Sequence, residues 1–209
     1  DEDHKCIKKL AAESDVLVSM GHTDAKFEEA MSAAKDGVNH ATHLFNAMSP
    51  LAHRNPGVVG AAIASDEATI EIIGDTFHIN PGLYTVIAKV KGDKMVLITD
   101  SLAAAGKADG EYELSGSKYI VKNGCCINEH GTIAGSILTL FEGMLNFMKF
   151  CNVPLIHALK YATINPAKMV NADFVGKIEK NYRADFIVIN DTNAPKILDV
   201  YVGARKIEG

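Results

Sequence analysis

No stretch of this 209-residue sequence stays apolar for the roughly 20 residues that a membrane-spanning helix needs. Its first residues, DEDHKC, lack both an initiating methionine and the basic-then-apolar opening of a secretion signal, so residue 1 is expected not to be the natural start of the gene product. The four cysteines, Cys6, Cys125, Cys126 and Cys151, form no CxxC pair, and the adjacent two cannot easily bridge to each other. That usage favours reduced thiols and a cytoplasmic setting. Basic charge is not in excess either: 21 Lys and Arg stand against 26 Asp and Glu, for a net charge of -5. The basic residues are also scattered, which argues against nucleic acid as a partner. With neither membrane nor nucleic acid favoured, small-molecule chemistry is the default.

What is present is ordinary for a globular protein: 47% hydrophobic and 22% charged residues, in a chain long enough to bury a sizeable core. His4 to Glu13 has helical spacing. Asp15 to Met20 is a short β-branched run ending at Gly21-His22-Thr23, after which Asp24 can cap a helix that stops at Gly37. Val38 to His43 is the next strand, followed by a polar turn over 46–57 and an Ala-rich helix from Val58 to Ser65. Thr69 to Ile73 is a strand interrupted only by Glu71. Pro81 then opens a helix that ends at Lys91-Gly92, and Lys94 to Thr99 is a fourth strand closed by Asp100. Unbroken apolar strands alternating with helices predict an α/β layer or barrel of parallel strands buried on both faces.

Beyond Asp100 the pattern changes. Ser101 to Gly116 reads as loop, and Lys118 to Gly135 as a hairpin around the Asn123-Gly124 turn signal. A strong helix spans Ser136 to Cys151, and shorter ones span Pro154 to Tyr161 and Asn165 to Val170. The last two apolar runs, ADFIVIND and ILDVYVGARKI, read as strands too few to stand alone, which predicts that they complete a sheet begun elsewhere.

Parallel α/β folds gather functional groups at the carboxyl ends of their strands. Here His22, His43, His78 and Asp100 fall at four successive strand ends. A single histidine in such a run is more often structural than functional. Four equivalent positions in succession point to one shared site. His22 and His43 suit a divalent metal, zinc first, with iron, manganese or cobalt as alternatives. Asp100 can serve as the proton shuttle for a water activated by that metal, and its bland alternative is a helix cap. His78 can orient a substrate carbonyl or sit buried as a structural residue. His53-Arg54, on the polar turn, offers a forked guanidinium to a phosphate or carboxylate, against the alternative of a solvated surface pair. His40 lies three residues before His43, which on a strand sends it to the opposite face and out of the site.

These residues sit in blocks: GHT at 21–23, THLFNAM at 42–48, HRNPG at 53–57, D-x-x-H at 75–78, ITDS at 98–101 and IAGS at 133–136. The ordered set resembles the N-acetylglucosamine-6-phosphate deacetylase family of the amidohydrolase superfamily, from about residue 15 to the end. The resemblance implies the later half, about strands 5 to 8, of a metal-dependent (β/α)8 TIM barrel over residues 1–172. It also implies strands of a small β-sandwich domain over 173–209. The implied reaction is metal-dependent hydrolysis of the acetamide of N-acetylglucosamine 6-phosphate. By position, His22 and His43 match the family's metal histidines, Asp100 its catalytic acid/base and His78 the histidine near the scissile amide. Asn46 and Ala47 match contacts on the phosphate side, and Ala134 a loop that closes on the substrate. His53-Arg54 matches a segment that reaches the phosphate across a homodimer. The family's first metal ligand is a Glu from an earlier strand, which nothing in Asp1 to Asp15 matches, so the chain resembles a carboxyl-terminal portion. Thr76 stands where the family usually has Gly. The competing expectations are a non-catalytic half-barrel that binds ligand or self-associates, and a related amidohydrolase acting on another N-acyl substrate.

Overall fold

The apolar runs of the first hundred residues become four strands: β1 (Val18–Met20), β2 (Val38–Ala41), β3 (Thr69–Ile73) and β4 (Met95–Ile98). In the computed structural model, which describes residues 3–13, 16–114, 116–190, 192 and 194–208, they form one parallel sheet in the order β1-β2-β3-β4. Asp15, the expected start of β1, lies outside the described residues, as does Asp191 in the expected strand ADFIVIND. Helix α1 (Lys5–Ala11) precedes the sheet. The connections carry α2 (Phe27–Lys35), α3 (Gly57–Ala64) and α4 (Tyr84–Lys91), the last entered through a 3-10 turn at Pro81–Leu83. Parallel neighbours joined through helices are what the alternating pattern predicts.

Both faces of the sheet bury side chains, as the expectation of strands buried on both faces has it, but the two faces differ in polarity. Ile70 and Ile72 of β3 and Met95 and Leu97 of β4 pack on Val59 and Ala62 of α3 and on Tyr84 and Ile87 of α4. Side chains alternate along a strand, and the register pairs Ser19 with His40, His40 with Thr69 and Glu71 with Val96. The other face therefore carries Ser19, His40, Thr69 and Glu71, a polar row at the centre of an otherwise apolar sheet. Glu71 interrupts its strand because it belongs to that face.

Other boundaries also moved. Helix α2 is entered at Lys26 rather than capped by Asp24: the Lys26 N–H donates to the Glu29 carboxylate at 2.6 Å. Part of the expected loop over 101–116 is a strand, β5 (Gly110–Leu114), which pairs antiparallel with β6 (Ser117–Lys122). Across the Asn123-Gly124 turn, β6 pairs with β7 (Cys125–Asn128). The helix expected from Ser136 begins later, as α5 (Leu140–Cys151). Its cap is Thr139, which accepts from the Glu142 N–H at 3.2 Å while Glu142 accepts from the Thr139 N–H at 3.1 Å. Two short helices follow, α6 (Leu155–Ala162) and α7 (Ile164–Met169), and Asn165 pins the second to the sheet by donating to the Met95 carbonyl at 2.9 Å.

The tail forms three strands, not two: β8 (Phe186–Ile189), β9 (Ile197–Val202) and β10 (Arg205–Lys206). They pair with one another, and among the described residues no strand from elsewhere joins them. The expected second strand breaks at Gly203-Ala204, where both residues take positive φ and turn the chain back. An apolar cleft of about 430 Å³ separates this sheet from α5 and α6.

Candidate functional site

Because all four strands run parallel, their carboxyl ends lie side by side on one edge of the sheet. The residues there share a backbone peculiarity. His22, His43, Thr76 and Asp100 have φ of 45°, 31°, 70° and 49°, in the left-handed region that non-glycine residues rarely occupy. Such strain persists only where surrounding contacts over-determine it, and it clusters at functional sites.

His22 and His43 are brought together, with ring centroids 4.9 Å apart and planes at 67°. His22 is exposed, whereas His43 is buried and its Nδ1 has no hydrogen-bond partner among the described residues. A buried ring nitrogen without a partner is costly unless a ligand takes it. Two imidazoles this close, one with an open nitrogen, fit part of a divalent-metal ligand set. Among the described residues no group of three His, Cys, Asp or Glu could hold a metal, so the pair is an incomplete set.

His78 is held by Asp75, a relation the sequence left undirected. Asp75 Oδ2 lies 2.6 Å from His78 Nδ1, and Oδ1 accepts from the N–H groups of Phe77 and His78 at 2.9 and 3.0 Å. Burial alone would raise the Asp75 carboxyl, but the His78 ring and these two N–H groups outweigh it and hold it below the ordinary range. The loop is braced from beneath by Tyr84, whose hydroxyl accepts from the Thr76 N–H at 3.1 Å. Burial pushes that phenol up to about 12. Gly74 completes the support: a Cβ there would come within 2.9 Å of the Gly143 carbonyl of α5, and Asn146 donates to the Gly74 carbonyl at 2.9 Å.

Asp100 is exposed, and its backbone is clamped to the IAGS segment. The Ser136 N–H donates to the Asp100 carbonyl and the Leu102 N–H to the Ser136 carbonyl, both at 2.8 Å, and the Ser136 hydroxyl donates to the Thr99 carbonyl. This explains the late start of α5: Ser136 is engaged with the strand end and is not helical. Ala134, half-buried two residues earlier, is tied to β7 through its N–H to the Cys126 carbonyl at 3.1 Å.

Asn46 turns its amide inward, donating to the His43 and Leu44 carbonyls at 3.1 and 3.2 Å, and Ala47 is exposed with φ of 50°. His53 and Arg54 are exposed. Arg54 lines a cleft of about 420 Å³ with Asp24, Lys26, Ser49 and Asn55, and none of the four strand-end residues reaches it.

Sequence reasoning missed Glu71. Its Oε2 accepts from the His43 N–H at 3.1 Å. Its Oε1 lies 3.1 Å from Nε2 of the buried His40. Burial would raise this carboxyl, and the His40 contact and the His43 N–H outweigh it and lower it. The available signal was a lone carboxylate inside an apolar strand. His40 does not join the ring pair, as expected, yet it is linked to His43 through Glu71.

A parallel α/β sheet with paired imidazoles and a carboxylate at its strand ends is the architecture of a hydrolase class. The chain belongs to the amidohydrolase family, whose sequence model matches residues 1–207. Within it, the chain is similar to curated N-acetylglucosamine-6-phosphate deacetylases. The one from Bacillus subtilis (strain 168) is 38% identical over 192 residues, which is 91% of this chain and 48% of the relative. The one from Haemophilus influenzae is 40% identical over 178 residues, 83% of this chain and 46% of the relative. The solved structure of an aspartate-to-alanine mutant of the Mycobacterium smegmatis deacetylase, in complex with N-acetyl-D-glucosamine-6-phosphate, superposes with a TM-score of 0.90 at 30% identity. That match covers 99% of this chain and 55% of the other. The chain thus spans about half the length of the relatives it matches.

Proposed function

We propose that the whole protein to which this chain belongs hydrolyses the acetamide of N-acetylglucosamine 6-phosphate, giving glucosamine 6-phosphate and acetate. The observation that carries the reading is the His22–His43 ring pair with its buried, unpartnered Nδ1. His22 and His43 hold a divalent ion, zinc first, together with a carboxylate from outside these 209 residues. Lewis-acid polarisation of the acyl oxygen and a more acidic water would come from that ion when bound. Asp100 accepts the proton of the attacking water and returns it to the departing amine. Because the Asp75 carboxylate only accepts, Nδ1 of His78 carries the proton between them, and this bond fixes the direction in which the ring meets the substrate near the scissile amide.

Around this centre, Asn46 and Ala47 line the phosphate side of the sugar, and His53 and Arg54 serve the phosphate across a homodimer. The Ala134 segment closes on the substrate. The sheet is the later half of a (β/α)8 barrel, with residues 173–209 contributing strands to a small β-sandwich, and the setting is the cytoplasm. Among the described residues, no helix is long and apolar enough to cross a membrane.

The test is acetate release from N-acetylglucosamine 6-phosphate by the metal-loaded, full-length protein. Asp100→Asn is expected to lower kcat by about 10²- to 10⁴-fold, the range for losing a positioned acid/base. No acetate from the unmodified protein would sink the reading. If Arg54→Ala leaves KM for the phosphorylated sugar unchanged, another N-acyl substrate is favoured.

A further inference from the structure

We propose that Glu71 is a positioning residue, holding the His43 backbone in its left-handed conformation so that the imidazole faces the metal site. The inference rests on the metal-site reading above and assigns a role to a residue outside the strand-end set. His43 lies two residues past the end of β2, where the sheet no longer dictates its geometry, and at φ of 31° it is strained. Two groups of Glu71 reach across from β3 to fix it. The carboxylate accepts from the His43 N–H at 3.1 Å, and the Glu71 carbonyl accepts from the Leu44 N–H at 2.9 Å.

The carboxylate is itself confined. Its second oxygen lies 3.1 Å from His40 Nε2, while His40 Nδ1 lies 2.7 Å from Thr69 Oγ1 and Thr69 donates to the Asn39 carbonyl at 3.2 Å. Thr69, His40 and Glu71 therefore form a chain of contacts on the polar face of the sheet that ends on the His43 N–H. None of these contacts uses the His43 ring, so its Nδ1 stays open for a ligand. The competing account is a buried Glu71–His40 ion pair that serves stability alone. The two differ in what matters about Glu71: reach to the His43 N–H in one, negative charge in the other.

Two variants of the full-length protein separate them. Glu71→Gln keeps the length and an acceptor oxygen but removes the charge. Glu71→Asp keeps the charge and is one methylene too short. Zinc affinity, measured by competition with a chromophoric chelator, is expected to fall about 10- to 100-fold in Glu71→Asp, the usual effect of losing a group that orients a metal ligand. In Glu71→Gln it is expected to stay within about threefold of the unmodified protein. In the metal-free protein, amide hydrogen exchange at His43 and Leu44 should quicken in Glu71→Asp and not in Glu71→Gln. The reverse order, equal loss in both variants, or loss in neither overturns the proposal. So does a wild-type protein that holds none of zinc, iron, manganese or cobalt, which overturns the metal reading with it. A protein that binds zinc but releases no acetate sinks the proposed reaction and leaves this comparison standing.

Discussion

Asp75 does two jobs that can be separated by measurement. Its side chain sets the direction of His78, and its accepted N–H bonds shape the turn. Asp75→Asn leaves a group of the same size without the carboxylate that orients the His78 ring, so kcat for the phosphorylated sugar is expected to fall about 10- to 100-fold with KM little changed. Steady-state kinetics on the full-length protein check this. The carboxyl also carries a pH dependence. Its folded value lies below that of the unfolded chain, about 3.9 for Asp, so its contribution is fully present at neutral pH and is lost as pH falls through the folded value. Wild type should therefore lose stability on acidification more steeply than Asp75→Asn, as read by denaturant titrations between about pH 6 and pH 3. Tyr84→Phe removes the acceptor for the Thr76 N–H and should cost about 1–3 kcal/mol by the same method.

Among the elements, the seat of the His78 loop depends on α5 lying almost against the chain at Gly74. Gly74→Ala places a methyl into the Gly143 backbone, and overpacking of this kind costs about 1–3 kcal/mol, which thermal denaturation would show. This contact was not legible in the sequence, since nothing at Gly74 announces a neighbour about seventy positions away. The strands Thr69–Ile73 and Met95–Ile98 were legible because their residues are apolar whatever they pair with. Strand β5 was not: GEYEL begins with glycine and alternates charge, and it is a strand only because β6 lies beside it. The closeness of His22 and His43 was readable from their positions at neighbouring strand ends, whereas the role of Glu71 was not, because its partners His40 and His43 come from another strand. The cap of α5 shows the same limit, since Ser136 would suit a helix if the Asp100 strand end did not claim it.

For the molecule as a whole, β1 and β4 are the outer strands of an open sheet, and the tail leaves Ile178 and Leu198 86% and 60% exposed. Unpaired edges and apolar surface of this kind invite association. The isolated 209-residue chain should therefore run above its 22.4 kDa mass in light scattering. A monodisperse 22.4 kDa particle would show that the described fold is self-sufficient. The left-handed strand ends bear on engineering as well. At His22 and Asp100, both exposed, glycine would occupy the same backbone without strain. Asp100→Gly and His22→Gly are thus expected to melt higher than the metal-free wild type while losing turnover. A library screened for heat resistance alone would drift toward an inert protein, through the very positions proposed to carry the chemistry.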